Sequence, residues 1–234
     1  MHTTAPTIDC AAAVGLLSDP VRRWFSSAFP SGPTPAQASA WPRIFEGEHV
    51  LLVSPTGTGK TLAGFLAILD RLFRDHATGA LKPGLRCVYI SPLRSLGYDV
   101  ERNLAIPLAG LQAAMELAES PVQVGVRTGD TSAYDRRKLR DHPPHILITT
   151  PESLALLLSQ AAWRDRWRGV EQIIVDEVHA LAPTKRGADL AISLERLSDA
   201  SAGDPQRVGL PATCRPPDPV ARFLVGPSRT CRVV

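Results

Sequence analysis

The chain has 234 residues, of which 44% are hydrophobic, and it can therefore bury the core of one large α/β domain or of two small ones. The 26 lysines and arginines only just outnumber the 23 aspartates and glutamates, and the net charge of +3 excludes a protein that holds nucleic acid by charge alone. No window approaches the run of about 18 apolar residues that marks a membrane span, and the N-terminus lacks the charged start of a secretory signal, so we expect a cytoplasmic protein without a membrane partner.

Short β-rich runs alternate with segments of helical periodicity along most of the chain. The predicted strands are 49–53, 86–90, 122–126, 145–149, 172–176 and 207–210. The predicted helices are 59–74, 92–118, 131–140, 151–160 and 188–200. Nearly continuous apolar strands that alternate with helices predict an α/β fold with a mostly parallel sheet covered by helices on both faces. Ligands of such sheets bind at the carboxyl ends of the strands.

The octapeptide SPTGTGKT, residues 54–61, joins the first predicted strand to the first predicted helix. Glycine weakens both kinds of element, so glycines at this junction indicate that something approaches the backbone closely. In the phosphate-binding pattern GxxxxGK[ST], backbone N–H groups cradle phosphates, the lysine reaches the β and γ phosphates, and the hydroxyl holds Mg²⁺. Ser54 replaces the first glycine of that pattern. The alternative, a glycine-rich turn with a chance lysine, is disfavoured by the strand before it and the helix after it.

From this pattern we assign nucleotide binding to the loop and Mg²⁺ coordination to its hydroxyl, Thr61. The predicted nucleotide-binding residues of the loop are Thr56, Gly57, Thr58, Gly59, Lys60 and Thr61. A fixed cation, glycine freedom and a helix N-terminus together make an anion site.

Two adjacent carboxylates, Asp176 and Glu177, follow the apolar run of the fifth predicted strand. Paired carboxylates at a buried strand end are costly unless a metal ion or a water molecule uses them. We predict that Asp176 holds Mg²⁺, directly or through its water shell, and that Glu177 positions and activates the attacking water. Taken alone, the pair has an alternative as a helix N-cap. Its combination with the phosphate loop favours the nucleotide site.

Several segments together resemble the superfamily 2 DExH-box helicases. SPTGTGKT resembles motif I, in which serine or alanine often stands at the first glycine, and DEVH at 176–179 resembles motif II. The other resemblances, in chain order, are TPAQ (34–37) to the Q motif, SPLRSL (91–96) to motif Ia, RTGDT (127–131) to motif Ic, TTPESL (149–154) to motif Ib and LPAT (210–213) to motif III. Within the superfamily, RTGDT, DEVHAL and KRGADLAISLERL resemble the Lhr-like ATP-dependent helicases.

The resemblance implies a P-loop NTPase fold and an enzyme that hydrolyses ATP with Mg²⁺ to move on nucleic acid. It places the first RecA-like domain of a helicase at residues 25–234, after an N-terminal extension at residues 1–24. We expect the aromatic residues Trp24, Phe25 and Phe29 to pack in the core rather than to flank the adenine.

The resemblance also gives roles to individual residues. Gln37 would read the adenine, Lys60 and Glu177 would be catalytic, and His179 and Thr213 would couple the nucleotide site to nucleic acid. The implied contacts to the phosphate backbone, through side chains or backbone N–H groups, are Arg94, Thr128, Gly129, Thr150 and Pro151. Each of these contacts has a structural alternative, and a proline at the position of Pro151 can simply start a helix.

Two departures from the family pattern bear on function. Pro211 replaces the hydroxyl residue of the usual Ser-Ala-Thr, which puts the coupling role of 210–213 in doubt. The sequence also contains no segment that resembles the second RecA-like domain or its arginine-bearing motif VI. We therefore expect a second RecA-like domain to be supplied in cis or in trans. The resemblance also implies single-stranded nucleic acid as partner, with DNA favoured over RNA. The alternative function is a nucleotide-gated nucleic-acid-binding module with little turnover.

Overall fold

The computed structural model describes residues 9–55, 57–92 and 94–234, with the backbone only for residues 94–98. Thr56 and the side chain of Arg94, both predicted to be functional, lie outside the described residues. The described residues form one sheet of seven strands in which each strand pair is parallel. The strands are β1 His49–Leu51, β2 Cys87–Ile90, β3 Val124–Arg127, β4 Ile146–Thr149, β5 Gln172–Asp176, β6 Gln206–Leu210 and β7 Cys231–Val233.

Helices precede, connect and cover the strands. In chain order they are α1 Cys10–Gly15, α2 Asp19–Ala28, α3 Pro35–Phe45, α4 Lys60–Ala77, α5 Arg94–Ala114, α6 Ala133–Asp141, α7 Pro151–Leu158, a 3-10 helix at Ala161–Gly169, α8 Val178–Leu181, α9 Lys185–Ala200 and α10 Asp218–Val225. Among the described residues, none of these helices combines the length and the apolar character needed to cross a bilayer.

The strand order across the sheet is β3-β4-β2-β5-β6-β1-β7, and it decides which loops meet. β6 lies between β1 and β5, since Val208 is in register with Val50 on one side and with Ile174 on the other. The segments that follow β1, β6 and β5 therefore emerge side by side at the carboxyl edge of the sheet. This edge carries the predicted phosphate loop, the predicted motif III and the predicted carboxylate pair.

Two hydrophobic cores cover the two faces of the sheet. Helices α1 to α5 pack on one face, and α7 to α10 with the 3-10 helix pack on the other. Successive residues of a strand point to opposite faces, so Tyr89 lies in the first core, whereas its neighbours Val88 and Ile90 lie in the second. The predicted α/β fold with a parallel sheet and helices on both faces is confirmed.

The N-terminal boundary expected after residue 24 is wrong, because it falls inside α2. Ala13, Leu17 and Val21 are each at most 2% exposed and belong to the same core as α3 and α4. The side chain of Asp70 in α4 accepts hydrogen bonds from both the backbone N–H and the hydroxyl of Ser18, at 2.8 and 2.6 Å. Residues 10–24 are thus an integral part of the domain rather than an extension.

Candidate nucleotide site and nucleic-acid face

The phosphate loop links β1 to α4 through two glycines in the left-handed region, Gly57 with φ of 81° and Gly59 with φ of 80°. A Cβ atom at Gly59 would lie only 2.6 Å from Nε2 of Gln37. Both the backbone angle and the close approach of Gln37 therefore require glycine at position 59. The loop delivers the chain to Lys60, which is the first residue of α4.

Ser54, at the position of the first glycine of the pattern, has a structural role in the loop. The Thr58 hydroxyl donates to the Pro55 carbonyl at 2.8 Å, and it lies 2.7 Å from the Ser54 hydroxyl, which is then the donor to Thr58. Ser54 is 8% exposed, so this bond is shielded from water. Ser54 thus stabilises the loop through a hydrogen bond to another residue of the same loop.

The TPAQ segment at the start of α3 holds the loop from outside. Thr34 and Gln37 form a capping box, in which Gln37 N–H donates to Thr34 Oγ1 and Thr34 N–H donates to Gln37 Oε1. The same two side chains reach the loop, because Thr34 Oγ1 donates to the Thr58 carbonyl at 3.0 Å and Gln37 Nε2 donates to the Gly59 carbonyl at 3.3 Å. Gln37 is 3% exposed and its amide oxygen is already paired. Its reading of adenine stays a prediction, which would use the remaining N–H of Nε2.

Lys60 is buried beneath the loop and faces the predicted carboxylates. Its Nζ donates to the Ser54 carbonyl. Burial lowers the pKa of Lys60, and the negative charges of Glu177 and Asp176 act in the opposite direction. An ammonium group carries three N–H donors, so two remain for a ligand anion above the loop.

Asp176 ends β5 with both carboxylate oxygens in hydrogen bonds. Oδ1 accepts from the Glu177 N–H at 3.0 Å, and Oδ2 accepts from the Tyr89 hydroxyl at 2.5 Å. Burial raises the pKa of Asp176, and the hydrogen bond from Tyr89 opposes that rise. The sequence analysis missed Tyr89. The signal was a tyrosine inside an otherwise apolar strand, because a buried tyrosine hydroxyl usually needs a partner.

Glu177 has a backbone conformation that is unusual for its residue type. Its φ of 45° lies in the left-handed region, which costs a non-glycine residue roughly 1 to 2 kcal/mol. The strained turn is supported by a hydrogen bond from its N–H to the Leu210 carbonyl at the end of β6, at 3.0 Å. The side chain stays 27% exposed at the mouth of the site. Strain of this kind is concentrated at functional sites.

His179 joins the carboxylate pair to the segment after β6. Its Nδ1 accepts a hydrogen bond from Ala212 N–H at 3.3 Å, and it lies 3.4 Å from Glu177 Oε2. Because Nδ1 is the acceptor in the first contact, it is not a proton donor to Glu177 as long as the imidazole is neutral. This contact fits a coupling role for His179. Thr213 is exposed nearby, and the coupling roles of both residues stay predictions.

An apolar pocket of about 390 Å³ adjoins the loop, between α2, α3 and α5. Trp24 and Phe29 line it as an edge-to-face pair with ring centroids 6.0 Å apart. The expected core packing of three aromatic residues is therefore correct for Phe25, which is 1% exposed, but wrong for Phe29, which is 39% exposed. A Cβ atom at Gly110 would lie 1.9 Å from Nε1 of Trp24, which shows how closely the indole rests on α5.

The predicted nucleic-acid contacts follow three adjacent strands, β2, β4 and β3, so the fold brings them to one edge. Several are nevertheless engaged in local structure. Thr150 is 3% exposed and caps α7 through a hydrogen bond from Ser153 N–H, and Pro151 is the buried first residue of that helix. This is the structural alternative named for Pro151. The N–H groups of the first turn are also engaged, since Ser153 N–H donates to the Thr150 side chain and Leu154 N–H donates to the Thr150 carbonyl.

Thr128 and Gly129 form the turn after β3. Thr128 is 1% exposed, its N–H donates to Thr131 Oγ1 at 2.8 Å, and its hydroxyl accepts from Asp130 N–H at 3.3 Å. The Thr128 side chain therefore stabilises the turn and is not exposed at the surface. Gly129 is exposed, and its carbonyl accepts a hydrogen bond from Arg136 at 2.7 Å. A direct contact at this turn is available to Gly129 and not to the Thr128 side chain.

Arg186 connects the predicted motifs Ia and Ib, and the sequence analysis gave it no role. Its Nη2 donates to the Pro92 carbonyl at 2.7 Å and its Nε donates to Glu152 Oε1 at 2.5 Å. Pro92 precedes α5 and Glu152 lies in the first turn of α7. The next residue, Gly187, is required by the close approach of the Leu181 carbonyl, which would lie 2.1 Å from a Cβ atom. Arg186 thus bridges the two motifs, and Gly187 allows the close packing of α9 against the Leu181 carbonyl.

A parallel α/β sheet with this loop after one strand and an Asp-Glu pair two strands away defines a P-loop nucleoside triphosphatase domain. The family model described as DEAD/DEAH box helicase matches residues 34–220. The chain belongs to the DEAD/DEAH box helicase family.

Similarity to curated relatives and solved structures confirms the Lhr-like resemblance. The chain is 49% identical to the Lhr helicase/uracil glycosylase of Escherichia coli over 90% of its own length and 14% of the relative's. It is 46% identical to the ATP-dependent helicase Lhr-Core of Methanothermobacter thermautotrophicus over 92% of its own length and 25% of the relative's. The chain therefore spans only a minor part of these relatives.

A solved structure of the Mycobacterium smegmatis helicase Lhr bound to ssDNA and AMP-PNP matches with a TM-score of 0.87 and 49% identity, covering 95% of this chain and 28% of that one. The DEAD-box helicase Mss116, at 20% identity, matches 98% of this chain and 45% of that one with a TM-score of 0.78, which shows the shared fold. The predicted RecA-like P-loop fold and the predicted helicase class are confirmed.

Proposed function

We propose that this domain binds ATP with Mg²⁺ at the loop and single-stranded DNA at the neighbouring carboxyl edge, as the ATP-binding domain of a helicase. The observation that carries the proposal is the meeting of Lys60 with Asp176 and Glu177 across β6, which sets a cation and two carboxylates around one loop. The relatives named above are called ATP-dependent helicases or Lhr helicases, and the M. smegmatis structure contains ssDNA and a nucleotide analogue.

The loop supplies donors to the phosphate groups. The start of α4 directs its free N–H groups and its positive dipole end at the loop, and Lys60 adds a full charge. Ser54, Thr34 and Gln37 hold the loop through side-chain hydrogen bonds. A loop fixed before the ligand arrives loses little conformational entropy on binding.

Mg²⁺ fits the oxygen donors that the site presents. No group of three His, Cys, Asp or Glu residues within the described parts of the chain forms a closed metal site. Mg²⁺ is suited to such an arrangement, because it keeps several waters and binds through one or two protein oxygens together with substrate phosphates. Asp176 and Thr61 are the residues that would hold it, and the ion would neutralise charge on the phosphates.

The apolar pocket beside the loop suits the base of the nucleotide. Its aromatic lining from Trp24 and Phe29, with Gln37 at its rim, offers a stacking surface and a polar group for orientation. Glu177, partly exposed at the mouth of the site, would orient and activate a water for attack on the γ-phosphate.

ATP with Mg²⁺ should raise the melting temperature of the protein, and a pyrimidine triphosphate should raise it less because it fills the pocket less well. At a concentration of about 100 times Kd, binding stabilises a protein by about 2.7 kcal/mol. For a domain of this size that corresponds to about 5 to 10 °C. Differential scanning fluorimetry with ATP and CTP measures both shifts. Equal shifts would refute the role of the pocket, and no shift with either would refute the nucleotide site.

Binding to single-stranded DNA should weaken steeply with salt and vary little with base sequence, because the proposed contacts are to phosphates. Replacing Arg94 with alanine should make the slope of log K against log salt shallower by about one unit. Arg196→Ala is the matched control. Arg196 is exposed near the C-terminal end of α9, where it donates to the Leu158 carbonyl, and it has no proposed contact with DNA. Fluorescence anisotropy at several salt concentrations measures the slopes. A salt-independent affinity, or equal slopes for the two variants, would contradict this interface.

A second candidate is a nucleotide-gated nucleic-acid-binding module with little turnover. Pro211, buried between the two halves of the site, favours it, since proline brings neither a hydroxyl nor an N–H to the segment that contacts His179. In either case we expect a second RecA-like domain, in cis or in trans, to complete the nucleotide site. An ATPase assay with and without single-stranded DNA separates the candidates. The helicase domain predicts turnover that rises with DNA, whereas the module predicts little turnover and no such rise.

A further inference from the structure

Tyr89 stands between the two residues that would hold Mg²⁺. Its hydroxyl donates to Asp176 Oδ2 at 2.5 Å. Burial raises the pKa of Tyr89, and on the side of the loop the nearby Thr61 side chain acts to lower it. The phenol oxygen thus holds the carboxylate at the end of β5 and lies near the hydroxyl side chain at the start of α4.

The ring of Tyr89 is held rigidly. Tyr89 is 0% exposed and stacks on Phe65 of α4, with ring centroids 4.9 Å apart and planes inclined by 18°. β2, which carries Tyr89, pairs with β5, which carries Asp176. The phenol is therefore fixed by the sheet on one side and by α4 on the other, and its hydroxyl has little freedom to follow a moving partner.

The two hydrogen bonds to Asp176 fix the plane of its carboxylate. The Glu177 N–H holds Oδ1 and the Tyr89 hydroxyl holds Oδ2. Each carboxylate oxygen has two lone pairs, so one on each remains for a metal ion or its water. Without Tyr89 the side chain of Asp176 would keep one hydrogen bond and could rotate away from the loop.

We propose that Tyr89 is a positioning residue for Mg²⁺, whose hydroxyl holds Asp176 in the orientation that the metal ion with ATP requires. The proposal rests on the proposed function, because it concerns the metal of the same nucleotide site. Residues that form hydrogen bonds to metal ligands and fix their orientation typically contribute a factor of about 10 to 100 in metal affinity. In this proposal Tyr89 acts through Asp176 rather than by contact with the nucleotide.

The test is Tyr89→Phe, which removes one oxygen and keeps the ring that stacks on Phe65. The rise in melting temperature caused by a fixed ATP concentration is measured as Mg²⁺ is increased, and its midpoint gives the Mg²⁺ requirement. We expect the midpoint to increase by about 10-fold or more, and the full rise to return at high Mg²⁺. Tyr134→Phe is the matched control, since Tyr134 is 76% exposed on α6, and its midpoint should equal that of the unmodified protein.

The outcomes separate the proposal from a purely structural role and from failure of the nucleotide site. A lower melting temperature without ligand, combined with an unchanged Mg²⁺ midpoint, would overturn the proposal and leave Tyr89 a packing residue. A rise that does not return at any Mg²⁺ concentration would also overturn it, because it would place Tyr89 in nucleotide binding itself. If the unmodified protein shows no rise, or if Lys60→Ala keeps it, the proposed function fails instead.

Discussion

Replacing Lys60 with alanine should abolish most of the rise in melting temperature that ATP and Mg²⁺ produce. Lys60 is the one side chain in the loop that brings a full positive charge to the phosphates, and burial under the loop keeps that charge away from competing water. Charge-assisted hydrogen bonds to phosphate are roughly twice as strong as neutral ones. Removing this charge should therefore lower ATP affinity by more than any other single change in the loop.

The measurement is differential scanning fluorimetry over a series of ATP concentrations at fixed Mg²⁺. Lys138→Ala is the matched control, because Lys138 is exposed on α6, and its shift should equal that of the unmodified protein. The melting temperature of Lys60→Ala without ligand serves to show that the domain still folds. A ligand-induced shift as large as in the control would mean that the loop does not hold phosphates.

Replacing Glu177 with glutamine should preserve ATP binding and lower turnover by about 100-fold or more, since a general base typically contributes a factor of about 10² to 10⁴. Glutamine keeps the size and the hydrogen bonding of the side chain but cannot accept a proton from water. The left-handed backbone of Glu177 is fixed by its N–H bonds to Leu210 and Asp176, which the substitution leaves in place.

Single-turnover hydrolysis with protein in excess over ATP isolates the chemical step of Glu177→Gln from product release. Glu171→Gln is a suitable control, because Glu171 pairs with Arg71 at the amino end of β5, far from the loop. An unchanged hydrolysis rate would remove Glu177 from the role of base. A loss of ATP binding as complete as in Lys60→Ala would show that the roles of the two residues are wrongly divided.

The sequence was sufficient for the first six strands, for the helices α4, α5, α6, α7 and α9, and for the nucleotide loop, because each depends on local pattern. Apolar runs with helices between them predict a parallel sheet, and glycines with a lysine at a strand-helix junction predict an anion site. The three-residue β7 at the sheet edge was missed because an arginine interrupts its short sequence, CRV, whereas β1 lies in a longer apolar run. The boundary at residue 24 was wrong because the apolar residues of α1 and α2 have the same spacing whether they cover this core or another.

The sequence could not show which side chains share a contact. Tyr89 and Asp176 are 87 residues apart, and Arg186 and Pro92 are 94 apart, so neither hydrogen bond follows from local spacing. The motif resemblance indicated Thr128 and Thr150 as contacts to the phosphate backbone, whereas the side chains of both are buried and complete a turn and a helix cap. A motif identifies the edge of the sheet at which a function lies, but it does not show which atoms of the motif face the ligand.

The place of β1 in the sheet determines when the nucleotide site can form during synthesis of the chain. Among the described residues, β1 pairs only with β6 and β7, and the hydrogen bond that joins His49 to Arg207 spans 158 residues. Closing so long a loop is slow compared with local helix formation. During vectorial synthesis the strand that leads into the phosphate loop has no neighbour until β6 has left the ribosome. We therefore expect a nascent chain that ends before β6 to contain the loop sequence without the strand pairing that positions it, and to bind ATP only after β6 has joined the sheet.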